Sequence, residues 1–399
     1  MNKKLLAVVV AATLATPALA LAQSSVTISG FFKVSLENLR IGSPGAARAG
    51  LNTTENRVAD DFSRIVFNVV EDLGGGLQAV GQADLRMPVA SGNVLSMNGN
   101  THVGLRSASL GRVIVGRQDV HYLSTGSDLT ALAGDLRADS VSLLAFMANG
   151  VAIANASRTP NIIHYTTPKF GGFSAIVAYS TGPTANAAGQ PNVTNVGAAP
   201  GAAPTAAQQA DLSSTIRTGT AFHVSPNYEA ANWQAGYSYW NMKPDGGQVI
   251  SAAASQLDQR SNKLYGAFKI AGFKIGLAWD KSKLTGNTGA TAGVVTNQRT
   301  AWSLPISYIM GSSGFHFHYT KARDDTATVA QDGAKMVALS YQYALSKRTS
   351  VGLTYAKITN DAGAAYNFFT STSIGNSTGS AIAAGEDPRL FAGTIRHAF

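Results

Sequence analysis

From about residue 24 to residue 399 the apolar side chains recur at every second position, and a period of two commits a chain to strands whose faces meet different surroundings. In "LQAVGQADLR", Leu77, Ala79, Gly81, Ala83 and Leu85 share one face, and Gln78, Gln82, Asp84 and Arg86 share the other. The same segregation recurs in "WQAGYSYW" (Trp233, Ala235, Tyr237 and Tyr239 against Gln234, Gly236 and Ser238) and in "FHFHY" (Phe315, Phe317 and Tyr319 against His316 and His318). In "NKLYGAFKI", Lys263 and Lys269 oppose Leu264, Phe268 and Ile270. The pattern predicts sixteen strands, near 24–38, 62–73, 76–90, 99–108, 111–118, 160–168, 171–181, 216–225, 231–242, 259–270, 272–283, 298–309, 314–322, 333–344, 348–358 and 389–399. Their connections alternate. Short ones such as "LGGG", "SLG", "PKFG", "SPNYEAA", "AG", "GSSG" and "ALSKR" are separated by long polar loops.

Such alternation also suits a soluble sandwich, but sandwiches charge their outer face, and only 13% of these residues are charged. A bilayer resolves the conflict: spanning strands need about 9–11 residues, and a closed barrel satisfies every backbone hydrogen bond where water is absent. An even strand count with short turns on one side and long loops on the other fits an all-β transmembrane antiparallel barrel. After the first two dozen residues no run of 18 apolar residues would read as a spanning helix. Residues 1–22, with "MNKK" ahead of an apolar run and the small-x-small triplet Ala20-Leu21-Ala22, read as a cleaved signal peptide, which leaves 23–399 as the barrel. Of 31 basic residues two, Lys3 and Lys4, lie in this leader, so 29 face 22 acidic ones, a net of +7.

Strand number sets what a barrel can hold. Eight strands leave room for side chains, whereas about 16–18 leave an aqueous channel. The inner face is polar here, and the first strand follows the leader directly, with no plug domain between. The absence of Cys excludes disulfides, thiolate metal sites and cysteine nucleophiles. His316 and His318 lack a third and fourth ligand and read as wall residues. No G-x-S-x-G stands beside a suitable Asp and His, "LGGG" precedes no helix that would cradle phosphate, and the dispersed basic residues do not suit nucleic acid. No enzyme and no cofactor is expected.

The segments "SSVTISGFFKVSLE", "SRIVFNVVEDLGGGLQAVGQADL", "LGRVIVGRQDV", "NIIHYTTPKFGGFSAIVAYS", "YALSKRTSVGLTYAKI" and "IRHAF" together resemble the Gram-negative outer-membrane general porin family, in the type ending in Arg-His-x-Phe. The resemblance implies a homotrimer of 16-stranded barrels in the outer membrane, surrounded by its lipids and lipopolysaccharide, passing small hydrophilic solutes and ions, with the third extracellular loop folded into the lumen. It also implies that Phe399 belongs to the signal read by the barrel assembly machinery; Phe391, Ile395 and Phe399 share one face. The rival functions are an outer-membrane barrel enzyme, an adhesin and a substrate-specific porin. The first would have a narrower barrel, the second little conductance, and the third aromatics along the lumen, whereas here aromatics favour the lipid face.

The third long connection, from Asp119 to Ser157, carries Leu129, Leu132, Leu136, Leu143, Leu144, Phe146 and Met147, a content that suits an inward fold. Residues 181–215 are of low complexity and read as a surface loop. Parity turns Arg64, Arg86, Arg106 and Arg158 inward. The family pattern sets such a cluster against the constriction loop, where Asp119, Asp128, Asp135 and Asp139 are the acidic candidates. Opposed charge across a narrow pore sorts solutes by sign, and a mild anion preference is expected. Asn100 and Thr101 stand where the family pattern would place one more arginine, with Arg106 as the candidate substitute.

Overall fold

The computed structural model describes residues 24–50, 52–92, 95–97, 99–124, 139–145, 153, 156–183, 219–243, 257–286, 291–368 and 382–399; the leader, most of the 181–215 loop, Asp128 and Asp135 lie outside them. Seventeen strand segments form one antiparallel sheet: β1 (Ser25–Gly42), β2 (Thr54–Asp60), β3 (Arg64–Gly74), β4 (Leu77–Arg86), β5 (Thr101–Ser107), β6 (Gly111–Asp119), β7 (Arg158–Thr166), β8 (Phe173–Ser180), β9 (Thr220–Glu229), β10 (Trp233–Lys243), β11 (Leu257–Ile270), β12 (Phe273–Gly286), β13 (Val295–Met310), β14 (Ser313–Ala322), β15 (Ala334–Ala344), β16 (Thr349–Asn360) and β17 (Asp387–Ala398). Both β2 and β3 pair with β1, Asp60 opposite Val34 and Arg64 opposite Phe31, so they are halves of one stave. β1 also pairs with β17, Phe31 opposite Ala398. The barrel is therefore closed with sixteen staves, as the alternation predicts.

The second stave starts earlier than residue 62 because its interruption is repaired by side chains. Three residues, 61–63, bulge between the two halves, with Phe62 in the left-handed region at φ 65°. Ser63 Oγ accepts from the Lys33 amide at 2.9 Å and donates to the Lys33 carbonyl at 3.0 Å, so the ladder bonds are replaced within the chain. The extra residue reverses the facing parity: Val58 points outward before it and Phe67 and Val69 after it.

The ninth segment also differs from expectation. It occupies Thr220–Glu229 rather than 216–225, and the "SPNYEAA" turn shrinks to 230–232. Pro226, which cannot donate to a ladder, pairs with Ala175 of β8 but has no partner on β10. There Ser225 Oγ donates to the Tyr237 carbonyl at 2.8 Å instead.

Exposure alternates as oil-facing and lumen-facing positions require. On β12, Leu277 and Trp279 are exposed while Ala278, Asp280 and Ser282 are buried; on β17, Phe391 and Ile395 are exposed and Leu390 and Ala392 buried. Aromatic rings collect on the outer face near the short turns, in contacts such as Phe173 with Tyr228, Tyr228 with Trp233, Phe273 with Tyr308, Phe315 with Tyr341 and Phe32 with Phe399. This is the interfacial girdle of a membrane barrel.

Toward the long-loop end the inner face turns apolar, with Leu39, Ile41, Trp240, Met242, Leu284, Met336, Ile358 and Leu390 all buried. Two segments meet them. From the third connection, α1 (His121–Ser124) and α2 (Val141–Leu144) bring in Tyr122, Val141, Leu143 and Leu144. From the last connection come Ala364, Tyr366, Phe368 and Ile382. The third loop folds inward as expected; the inward packing of the last connection was not legible beforehand. Arg48, in the turn after β1, clasps Glu386 with two donors at 2.6 Å in a fully buried pair.

Candidate functional site

Five neighbouring staves, from the β3 half to β7, build a basic wall below this apolar packing. Arg64 at the start of β3 lies directly opposite Arg86 at the end of β4, a repulsive pairing that Asp84 makes tolerable. The Asp84 Oδ2 atom lies 2.9 Å from Arg86 Nη2 and 3.5 Å from Arg64 Nη1. Gly99 approaches that carboxylate so closely that a Cβ there would fall 2.0 Å from Asp84 Cγ; any side chain would displace the group that holds the two guanidiniums together. Beyond β5, Arg158 faces Asp119 across the β6–β7 ladder, with Nε to Oδ1 at 2.7 Å. Asn100 buckles the pair: its Nδ2 donates to Asp119 Oδ2 at 2.9 Å, and its Oδ1 accepts from Arg158 Nε at 3.1 Å. Arg64, Arg86 and Arg158 keep 23, 12 and 19% of their side-chain surface exposed, so the wall is wetted.

Two further arginines complete the wall. Arg396 on β17 and Arg64 flank the Phe31 ring, their guanidinium carbons 4.5 and 4.9 Å from its centroid. Arg117 lies within electrostatic reach of Arg158 and Asp119. Simple parity would have found Arg396, since it opposes Ile395 and Phe391. It fails for Arg117, which follows Gly116 (φ 144°) at the point where the β6–β7 register shifts between Gly116 and Gln118.

Three expectations change. Asp119, expected across the pore from the arginines, ends β6 on their own wall, directly opposite Arg158 in the ladder, and is spent on that residue. Arg106 is not in the cluster; it lies at the short-turn end of β5, where its Nε and Nη2 donate to Gln78 Oε1 at 3.0 and 2.8 Å, too far down the strand to stand in for an arginine at Asn100. Asp139 does not face open lumen: it is 2% exposed and accepts the Val141 amide at 2.9 Å at the head of α2. His316 and His318 line the inner face of β14.

The loop opposite the arginines is fastened by a buried polar network. His121 Nδ1 and Nε2 lie 2.7 and 2.8 Å from Ser238 Oγ and Ser261 Oγ, and Lys263 Nζ donates to the His121 carbonyl at 2.6 Å. The Tyr122 hydroxyl reaches Ser261 and Ser282 at 3.2 Å and the Asp280 carboxylate at 3.4 Å. Ser261 and Ser282 both donate to Asp280 in turn. Farther along, Arg299 Nη2 donates to the Leu144 carbonyl at 3.0 Å. The signal for these anchors was present as inward-parity polar residues on adjacent strands, Ser261 and Lys263 on β11 and Asp280 and Ser282 on β12.

Burial pushes the His121 imidazole down to about 4, against the pull of Asp280. A free chain takes up a proton near 6.5 that the docked loop refuses, so docking is strongest above that pH and weakens as pH falls toward 4. Stepping the pH from neutral to about 4 should therefore raise current noise through the protein, and His121→Asn should flatten that response. Asp280, Lys263, Tyr122 and His223 surround the ring, so a response of equal size in His121→Asn would assign it to one of them.

A family model described as Gram-negative porin matches residues 7–363. Outer membrane porin protein 32 of Delftia acidovorans is 33% identical over 184 residues, which is 45% of this chain and half of that protein's length. Major outer membrane protein P.IB of Neisseria lactamica is 23% identical over 379 residues, 94% of this chain and 98% of that one. Among solved structures, the anion-selective porin from Comamonas acidovorans superposes with a TM-score of 0.72 at 20% identity, covering 94% of this chain and all of that one.

Proposed function

This chain belongs to the Gram-negative porin family, and from that premise we propose that it forms an outer-membrane channel through which small hydrophilic solutes and ions diffuse passively, with a mild preference for anions. The observation that carries the reading is the basic wall facing an inward-docked loop. Its five arginines (Arg64, Arg86, Arg117, Arg158 and Arg396) outnumber Asp84 and Asp119 and leave a net charge of +3. The described acids on the side of the docked loop, Asp139 and Asp280, are buried and hydrogen-bonded within the loop and its anchorage, and a surplus of one sign in a confined, partly desolvated passage enriches the opposite ion. The Comamonas acidovorans porin, whose fold this chain shares, is named as anion-selective, which supports the sign.

Three copies associating through their outer faces fit the surface chemistry. Val26 and Ile28 on β1, Val103 and Leu105 on β5 and Val113 and Val115 on β6 present exposed aliphatic side chains without charge, whereas rings and lysines crowd the faces of later strands. Residues 1–22 act as the cleaved export signal in this reading, and Phe399, packed against Phe32 at 5.2 Å between centroids, closes the strand offered to the assembly machinery.

Planar-bilayer recording across a salt gradient tests the proposal. Stepwise unitary currents with a reversal potential on the anion side are expected. A folded, inserted protein with no conductance would defeat the channel reading, and a cation-side reversal would defeat the arginine assignment alone.

A further inference from the structure

Alternation gives the lumen face to polar side chains, and β1 and β3 depart from that rule beside the basic wall. Phe32 is exposed on the outer side against Phe399, and Lys33 and Ser35 are buried on the inner side. Phe31 therefore faces the lumen, half-buried. On β3, Phe67 and Val69 are exposed outward, while Asn68 accepts from Gln82 Nε2 at 3.0 Å on the inner side. Val66 and Val70 share that inner side with Asn68, both half-buried, and Val70 stands opposite Val80. A ring and three valines thus line a wet passage next to its arginines.

Register ties this patch to charge. Arg64 is directly opposite Phe31, so Val66, the next inward position of β3, lies diagonal to the ring and within reach of an aromatic side chain. Arg396 is opposite Lys33 and extends back over the Phe31 ring, its guanidinium carbon 4.5 Å from the centroid against 4.9 Å for Arg64. A guanidinium over a ring uses its charge and its face, and its N–H edge stays available. The two edges differ in what already occupies them. Arg64 Nε donates to the Phe62 carbonyl at 3.2 Å and Nη1 approaches Asp84 at 3.5 Å. Lys33 is met by Asp61 at 3.8 Å. Arg396 has neither a hydrogen bond nor an ion pair among the described residues.

We infer that Arg396, Phe31 and Val66 form a binding site for aromatic carboxylates on their way through the lumen, with the carboxylate on the open edge of Arg396 and the ring against Phe31, Val66 and the guanidinium faces. A carboxylate matches a guanidinium edge with two parallel hydrogen bonds. Each guanidinium has two faces, of which Phe31 takes one, and a second ring stacks on the other. Apolar surface facing water is unfavourable until something covers it, and the solute ring does so here. Chloride or acetate meets only the charge, and an uncharged ring meets only the apolar side chains, so neither uses the whole site. The inference rests on the channel reading above and names a class of solute for it.

Planar-bilayer recording of the full-length protein in chloride, with benzoate, acetate, cyclohexanecarboxylate or benzyl alcohol added, tests the site. Benzoate should halve the chloride current at about a tenfold lower concentration than acetate, cyclohexanecarboxylate should be weaker than benzoate, and benzyl alcohol should leave the current unchanged over the same range. Phe31→Leu should bring benzoate and acetate together, Phe31→Tyr should keep them apart, and Phe67→Leu, on the outer face, should behave as the wild type does. Benzoate no stronger than acetate in the wild type would overturn the site, as would an undiminished preference in Phe31→Leu. Equal block by benzyl alcohol would mean apolar obstruction without Arg396 and overturn the carboxylate assignment; equal block by cyclohexanecarboxylate would overturn the aromatic one. Every recording begins with chloride alone. Absence of unitary steps there defeats the channel reading, whereas steps without a benzoate preference defeat this site only.

Discussion

Replacing Arg64, Arg86 and Arg158 together by glutamine is expected to abolish the anion preference and bring the reversal potential in a salt gradient close to zero. Those substitutions take the wall from a net +3 to neutrality, since Arg117 and Arg396 then balance Asp84 and Asp119. Arg64→Glu alone lowers the net to +1 and should shift the reversal potential part of the way toward cations. The salt dependence is as informative as the sign. At about 0.1 M the Debye length is about 10 Å, and at about 1 M it is about 3 Å, so the shift should be large in dilute salt and nearly vanish in concentrated salt. Glutamine keeps hydrogen-bond donors near Asp84 and Asp119, which avoids leaving those carboxylates bare. If the triple variant at low salt reverses where the wild type does, the basic wall has no part in selectivity.

How far such a wall can be read from a sequence depends on how well parity survives. Where the ladder is regular, one residue per rung, the outward valines and leucines announce what the intervening positions do. Arg64 and Arg86 follow from Ile65 and Leu85 in that way, and Arg396 could have followed from Ile395. The sixteen staves and the inward third loop were legible for the same reason, because oil and water impose opposite demands on neighbouring side chains.

Parity breaks at bulges, and this barrel has two near the site. The one at 61–63 resets the face of its stave before Arg64, so counting from Ile65 onward still succeeded. The register shift after Gly116, whose extra residue lies on β7, falls between the readable part of the β6–β7 ladder and its functional end, where Asp119 stands beside Arg158 and not across the pore from it. Arg106 exposes a different limit. Parity gives the face of a side chain but not its height, and a residue can face the lumen while standing at the wrong end of it. The inner apolar belt was also obscure, since Leu39, Met336, Ile358 and Leu390 occupy lumen positions that alternation alone assigns to water. Their partners are loop residues far away in sequence.

The loop itself provides the other large effect. Tyr122→Ala combined with Leu143→Ala is expected to increase unitary conductance and its fluctuation, leaving the barrel intact. Tyr122 is 1% exposed and Leu143 is fully buried; truncating a buried aromatic costs about 3–5 kcal/mol and a buried leucine about 2–5 kcal/mol. The first also strips Asp280 and two serines of a hydroxyl partner, and a buried acceptor left short of donors adds its own penalty. Nothing in the sixteen-stave ladder depends on either side chain, so the loss falls on loop docking, and thermal unfolding of the barrel should change little. Tyr122→Phe separates the two contributions: it keeps the ring in the apolar packing and loses only the hydroxyl contacts, so its conductance should lie between those of the wild type and the double variant. A double variant with wild-type conductance and noise would mean that the third loop is held by contacts other than these, and that the network around Asp280 does not set the width of the passage.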